Sequence, residues 1–244
     1  MQRTLEPEVM DTPEEADGYD AMDHSEPNAA FVARLVQLGA RGRMLDVGTG
    51  PGHIPLLACE RIADCRVVAV DLARHMLAHA ERHRAASPHG SRVELRLADA
   101  KGLDFEDDSF DAVFSNTILH HIPEPEPFLR EAWRVLRPGG VLLVRDLFRP
   151  ETTARALELV RMHAGDATPC QQELFRASLH AALTPAELLA LSRSIGMPGV
   201  ELAIDSDRHM SLQTSAKGVE VGSRGWASPF RTAAAVDPAR GERA

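Results

Sequence analysis

Aromatic residues make up only 5% of the 244-residue chain, with a single tyrosine, Tyr19, and cysteine occurs three times. The three thiols, Cys59, Cys65 and Cys170, cannot all pair within one chain and show neither C-x-x-C nor zinc-module spacing. Reduced thiols in the cytoplasm are the expectation. Apolar runs of the roughly 18 residues needed to span a membrane are missing, and the first twenty residues are acid-rich instead of basic and then apolar. Neither insertion nor export is expected. Positive charge is also scarce, with 27 Lys and Arg against 36 Asp and Glu and a net charge of -9. That sign argues against nucleic acid or anionic lipid as a partner. The remainder, 44% hydrophobic and 26% charged, is ordinary for a globular protein long enough to bury one α/β core. Nothing in the sequence speaks to oligomeric state.

Strand-like and helix-like runs alternate through most of the chain. Short apolar stretches at 44–47, 66–70, 92–97, 112–114 and 140–145 read as strands buried on both faces, and 53–62, 73–86 and 126–136 carry helical apolar spacing between them. The repeating unit is β-α-β, which calls for a parallel sheet covered by helices. After about residue 150 two helical segments follow without a strand between them, 151–164 and 171–182, an insertion or cap. Thr184-Pro185-Ala186-Glu187 then reads as a helix start and Gly196 as its end. Runs at 200–204 and 208–212, split by Asp205-Ser206-Asp207, form a closing antiparallel hairpin. From about Thr214 onward a mobile tail is expected.

The strongest local signal is Met44-Leu45-Asp46-Val47-Gly48-Thr49-Gly50-Pro51-Gly52-His53, a strand running through glycines into a helix. Such a turn lets a ligand approach the backbone and meet the free N–H groups of a helix start. A dinucleotide site would place glycine at 53, where His53 stands, which weakens a nicotinamide reading. Asp71 closes the next strand nineteen residues after Gly52, where a carboxylate can accept both hydroxyl protons of a ribose. Asp99 ends the third strand, where it can accept from an adenine amino group. Two carboxylates at successive strand ends suit a cationic cofactor better than a phosphorylated one.

The ordered set LDVGTGPGH, VVAVDLARHML, LADAKGLDFEDDSFDAVFSNTILHHI and LREAWRVLRPGGVLLVRDL resembles the class I S-adenosylmethionine-dependent methyltransferases, in the style of the quinone-biosynthesis C-methyltransferases, over about 28–147. The resemblance implies a three-layer, Rossmann-like, doubly wound α/β sheet of seven strands, mostly parallel with an antiparallel last strand, plus the helical cap at about 150–183. It implies S-adenosyl-L-methionine as cofactor, with Gly48, Gly50 and Gly52 against its methionine part, Asp46 near its amino group, and Asp71 on the ribose. Leu72 would pack on the adenine, Asp99 and Ala100 would read its edge, and Asn116 would lie near the reacting end. Residues 137–140, Arg-Pro-Gly-Gly, would turn into the fifth strand.

The acceptor side is less readable, because a sulfonium already supplies the electrophile and the protein mainly aligns the acceptor. His121, His120 and Asp146 are the catalytic candidates, at the mouth of the sheet. Tyr19, in an N-terminal arm of residues 1–27, is a candidate lid residue over the cofactor, with 28–213 as the catalytic domain and 214–244 as the tail. His75, His79 and His83 share one helical face, but neighbouring Arg74, Glu81, Arg82 and Arg84 mark that face as solvated, and no metal is expected. Arsenic chemistry is disfavoured because the cysteines do not cluster. A small-molecule methyl acceptor is the expected partner; a cofactor-binding protein without transferase activity is the alternative.

Overall fold

A computed structural model describes residues 1–7 and 11–218. In chain order its elements are α1 (Pro13–Asp20), α2 (Ser25–Leu38), β1 (Arg43–Val47), α3 (His53–Arg61), β2 (Arg66–Asp71), α4 (Arg74–Ala86) and β3 (Val93–Leu97). They continue with β4 (Phe110–Asn116), α5 (Pro125–Arg134), β5 (Leu136–Leu147), α6 (Thr153–Ala164), α7 (Pro169–Ala181), α8 (Pro185–Ile195), β6 (Glu201–Ile204) and β7 (His209–Gln213). The sheet order is β3-β2-β1-β4-β5-β7-β6. Strands β1 to β5 pair in parallel, while β7, the last strand, runs antiparallel to both β5 and β6. The expected Rossmann-like sheet is therefore present.

Because successive strand residues face opposite sides, β1 divides its apolar side chains between two cores. Leu45 and Val47 join Val68, Val113, Phe128, Leu129 and Leu188, beneath α5 and α8. Met44 joins Val67, Ala69, Phe114, Phe31 and Leu35, beneath α2 and α3. Each fully buried Phe or Leu contributes roughly 1.5–3 kcal/mol. Helices α6 and α7 enclose a smaller cluster of their own around Leu159 and Leu179. No helix among the described residues is long and apolar enough to cross a membrane.

Helix ends follow the sequence closely. Thr184 Oγ1 accepts from the Glu187 amide at 3.2 Å while the Glu187 carboxylate accepts from the Thr184 amide at 2.7 Å, and Gly196 ends α8 with φ 79°. One expectation is corrected at residues 137–140. They do not turn into β5; they lie inside it as an irregularity, since Leu136 pairs with Phe110 and Val141 already pairs with Ala112. The tail expected from Thr214 begins with ordered contacts: Thr214 Oγ1 donates to the Gly140 carbonyl at 3.0 Å, and the Ala216 amide donates to that of Leu38 at 2.8 Å. Residues 219–244, to which the rest of that expectation applies, lie outside the described part.

Candidate functional site

The chain reverses direction across the sheet between β1 and β4, and in open α/β sheets ligands bind at the carboxyl ends of the strands beside such a switch point. A cavity lies there, walled by the ends of β1, β2 and β4 and by the loop after β3, with α1 and α2 alongside. Of the sequence-derived candidates it brings together Tyr19, Gly48, Gly50, Asp71, Leu72, Asp99, Ala100, Asn116 and His121.

Asp71 is locked in place by the backbone. Its Oδ2 accepts from the Gly50 amide at 2.7 Å and its Oδ1 from the Ala73 amide at 2.9 Å. Burial nevertheless outweighs these amides and raises its pKa. The Gly50 backbone, at φ 55°, has open space where a Cβ would project, whereas a Cβ on Gly48 would fall 2.5 Å from Ile118. Leu72 is apolar yet 40% exposed at the cavity wall. For Asp99 burial alone would raise the pKa, but Lys101 wins and lowers it: the Lys101 amide and Nζ both lie 2.9 Å from Oδ1.

Four candidates lie behind the cavity wall. Asp46 is 1% exposed on β1, and burial pushes its carboxyl up to about 7, assisted by Asp71. Gly52 starts α3 with φ 81°, and a Cβ there would meet Ala80 of α4 at 2.9 Å, so its smallness serves the approach of two helices. His120 and Asp146 are also buried: His120 Nδ1 lies 2.6 Å from Asp146 Oδ1, and the His120 amide donates to Oδ2 at 2.9 Å. Burial alone would lower the pKa of His120, but Asp146 and Glu6 prevail and raise it. None of these four residues lines the cavity itself.

Several residues at the site carry no signal in the sequence. Glu6, far from any motif, places Oε1 3.3 Å from both His120 Nε2 and His121 Nδ1. Arg3 fastens the same segment by donating to the carbonyls of Ala181, Pro123 and Ile122. His24 also lines the cavity, and its buried Nε2 has no hydrogen-bond partner. Lowered by burial first and then by His120, His121 titrates at about 4 and is a neutral imidazole at neutral pH.

The histidine face of α4 is solvated only in part: α1 covers its middle, while His75 stays exposed. His79, 6% exposed, meets Asp20 and Asp17 at 2.8 Å each, and His75 meets Asp11 at 3.0 Å. An eight-residue helix burying only Ala16 completely has a small apolar contact, Ala16 and Tyr19 against Ala73 and Met76, and these polar ties add to what holds α1 over the cavity. Two cysteines do cluster, with Cys59 and Cys65 Sγ 3.7 Å apart, but Cys65 precedes β2 and Asp71 ends it, about 20 Å along the strand.

Residues 45–144 match the family described as Methyltransferase domain. A demethylmenaquinone methyltransferase of Symbiobacterium thermophilum is 32% identical over 55% of this chain and 57% of its own length. An arsenite methyltransferase of Halobacterium salinarum is 29% identical over 78% of this chain and 49% of its own. The chain thus spans about half the length of the curated relatives it matches. In fold it is similar to a solved SAM-dependent methyltransferase from Aquifex aeolicus, with a TM-score of 0.63, 19% identity and coverage of 84% of this chain and 98% of the other.

Proposed function

We propose that this chain, which carries a methyltransferase domain over residues 45–144, transfers a methyl group from S-adenosylmethionine to a small-molecule acceptor. The observation that carries the proposal is the convergence of the Gly48–Gly50 elbow, Asp71 and Asp99 on one cavity. The cavity's chemistry fits the cofactor. The open cradle at Gly50 admits a ligand against the backbone, Leu72 offers an uncovered apolar face, and the unpartnered His24 Nε2 awaits a polar group. Asp71 would hold the ribose hydroxyls, Asp99 and Ala100 the adenine edge, and Gly48 and Gly50 the methionine part. Asn116 and Tyr19 would border the reacting end. Asp71 and Asp99, both at the cavity wall, offer carboxylates to a ligand of positive charge.

When bound, the cofactor supplies a methyl group on a sulfonium, activated for in-line displacement. The protein's part is to align the acceptor, exclude water and receive a proton where the acceptor carries one. Helix α1 does the excluding, with Tyr19 on its inner side. Nδ1 of His121 lies 3.3 Å from the Pro7 carbonyl, which can only accept, so Nδ1 carries the hydrogen and Nε2 is left with the lone pair that takes a proton. His120 and Asp146 position this imidazole through Glu6 and do not touch the acceptor. The thiol pair is too distant to serve a thiophilic acceptor, and a cytoplasmic location keeps it reduced.

Titration calorimetry with S-adenosylmethionine, followed by incubation with a panel of small acceptors, tests the proposal. Binding should be measurable, Asp71→Ala should weaken it by about 1.5–3 kcal/mol, or roughly 10- to 150-fold, and S-adenosylhomocysteine should accumulate with an accepted substrate. An absence of binding overturns the reading. Binding without product from any acceptor favours a cofactor-binding protein that does not transfer the methyl group.

A further inference from the structure

Asp20, His53 and His83 come from three separate helices, α1, α3 and α4, and their donor atoms lie within 4.8 Å of one another. His53 Nε2 lies 3.1 Å from Asp20 Oδ1 and His83 Nε2 lies 3.5 Å from Asp20 Oδ2. Donors about 2.0–2.1 Å from a tetrahedral zinc ion stand about 3.4 Å apart, a spacing these two contacts bracket. We propose that these three side chains form a site for a divalent transition metal of the zinc class, and that the ion clamps α1 over the cavity.

The argument turns on hydrogen placement. His83 Nδ1 lies 2.9 Å from the Pro51 carbonyl, an acceptor only, so Nδ1 carries the hydrogen and, wherever the ring holds no second proton, Nε2 turns a bare lone pair toward a carboxylate oxygen. Two acceptors facing each other need a cation between them. A proton on His83 answers this for one ring only. His53 stacks on His83 with centroids 4.4 Å apart at 28° and faces the same carboxylate. Two imidazolium rings stacked at that distance repel, so protons on both rings serve the pair poorly. One divalent ion held by both Nε2 atoms and the carboxylate serves all three together.

The surroundings have the pattern that holds metal ligands in place. Pro51 O fixes the His83 ring, and His79, whose Nδ1 lies 2.8 Å from Asp20 Oδ2 and 2.7 Å from an Arg82 guanidinium nitrogen, lies against the carboxylate. Two imidazoles and a carboxylate suit zinc, cobalt or nickel better than magnesium or calcium. The two imidazoles are about one-third exposed, at 36% and 30%, which leaves an entry path and room for a water in the fourth position. Asp20 ends α1 next to Tyr19, and both Tyr19 and His53 line the cavity. Occupancy therefore slows the exchange of whatever the cavity holds.

Cobalt titration of untagged, chelator-stripped protein without cofactor tests the site, independently of the methyl-transfer reading. One equivalent should bind and produce the intense visible absorption of tetrahedral cobalt. Asp20→Asn and His83→Gln should each weaken binding at least 10- to 100-fold. His163→Ala, on α6 and paired with Asp207, should leave it unchanged. Zinc should then slow dissociation of S-adenosylhomocysteine from the wild type and not from His83→Gln. Absence of cobalt binding, or equal binding by wild type and His83→Gln, overturns the site, and equal dissociation rates with and without zinc overturn the clamp.

Discussion

Replacing Asp46 with asparagine should change stability in a direction that depends on pH. The Asp46 carboxyl is 1% exposed, its Oδ2 has no hydrogen-bond partner, and burial raises its pKa from 3.8 to about 7. Between these two values the folded state holds a proton that the unfolded state has released, so stability falls as pH rises from about 4 to about 7 and is level above that. At 1.36 kcal/mol for each tenfold, the ionised fold at pH 8 is about 4 kcal/mol less stable than one with a neutral group in the same place. The side-chain amide that Asp46→Asn introduces is permanently neutral but brings an NH₂ without a partner, costing about 1–3 kcal/mol. The variant should therefore exceed the wild type by about 1–3 kcal/mol at pH 8, roughly 2–12 °C in Tm, and fall below it near pH 4. Urea unfolding of both proteins at several pH values, with free energies compared pairwise, reads the difference directly. A difference that stays constant from about pH 4 to about pH 8 would refute the reasoning, because it would mean that Asp46 titrates alike in the folded and unfolded chains.

Two further predictions separate roles that the sequence lumps together. Gly50→Ala should weaken cofactor binding by at least tenfold at a stability cost of about 1–2 kcal/mol, since its Cβ enters open cavity space at positive φ. Gly52→Ala, whose Cβ meets Ala80 at 2.9 Å, should instead lower stability by about 1–3 kcal/mol with a smaller effect on binding; calorimetry paired with unfolding curves distinguishes the two. His121→Ala should reduce kcat by about 10²–10⁴ while leaving cofactor affinity unchanged. Because the neutral form of His121 persists above about pH 4, this residue should not cause the wild-type rate to fall between pH 8 and about pH 5. Steady-state kinetics over that range, once an acceptor is known, check both statements.

Element order, the ends of β2 and β3 and the start of α8 could be read along the chain because each depends on neighbours within a few residues. An unbroken apolar run marks Val67 to Val70 as a strand buried on both faces, and Thr184 with Glu187 three positions later marks a capping box at a helix start. That Asp71 would fall beside the glycine elbow was legible for the same reason, since strand ends in a β-α-β unit fall side by side, whereas the hydrogen bond its carboxylate accepts from the Gly50 amide was not. Interactions that span many residues left no such trace. Glu6 reaches the paired histidines from more than a hundred positions away, and nothing local to it announces that contact.

Local residue pattern by itself determined the parallel sheet, the helix caps and the acidic residues that end β2 and β3, since periodicity and capping act over single turns and single strands. Only tertiary structure decided which polar groups face the cavity and which stand behind it. Asp46 and Gly52 belong to the same motif as Gly48 and Gly50, yet the sheet buries one and a crossing helix covers the other. The charged face of α4 likewise looks solvated in sequence and is buried at His79, where α1 seats, because burial depends on which distant segment arrives, and periodicity along one helix does not encode that.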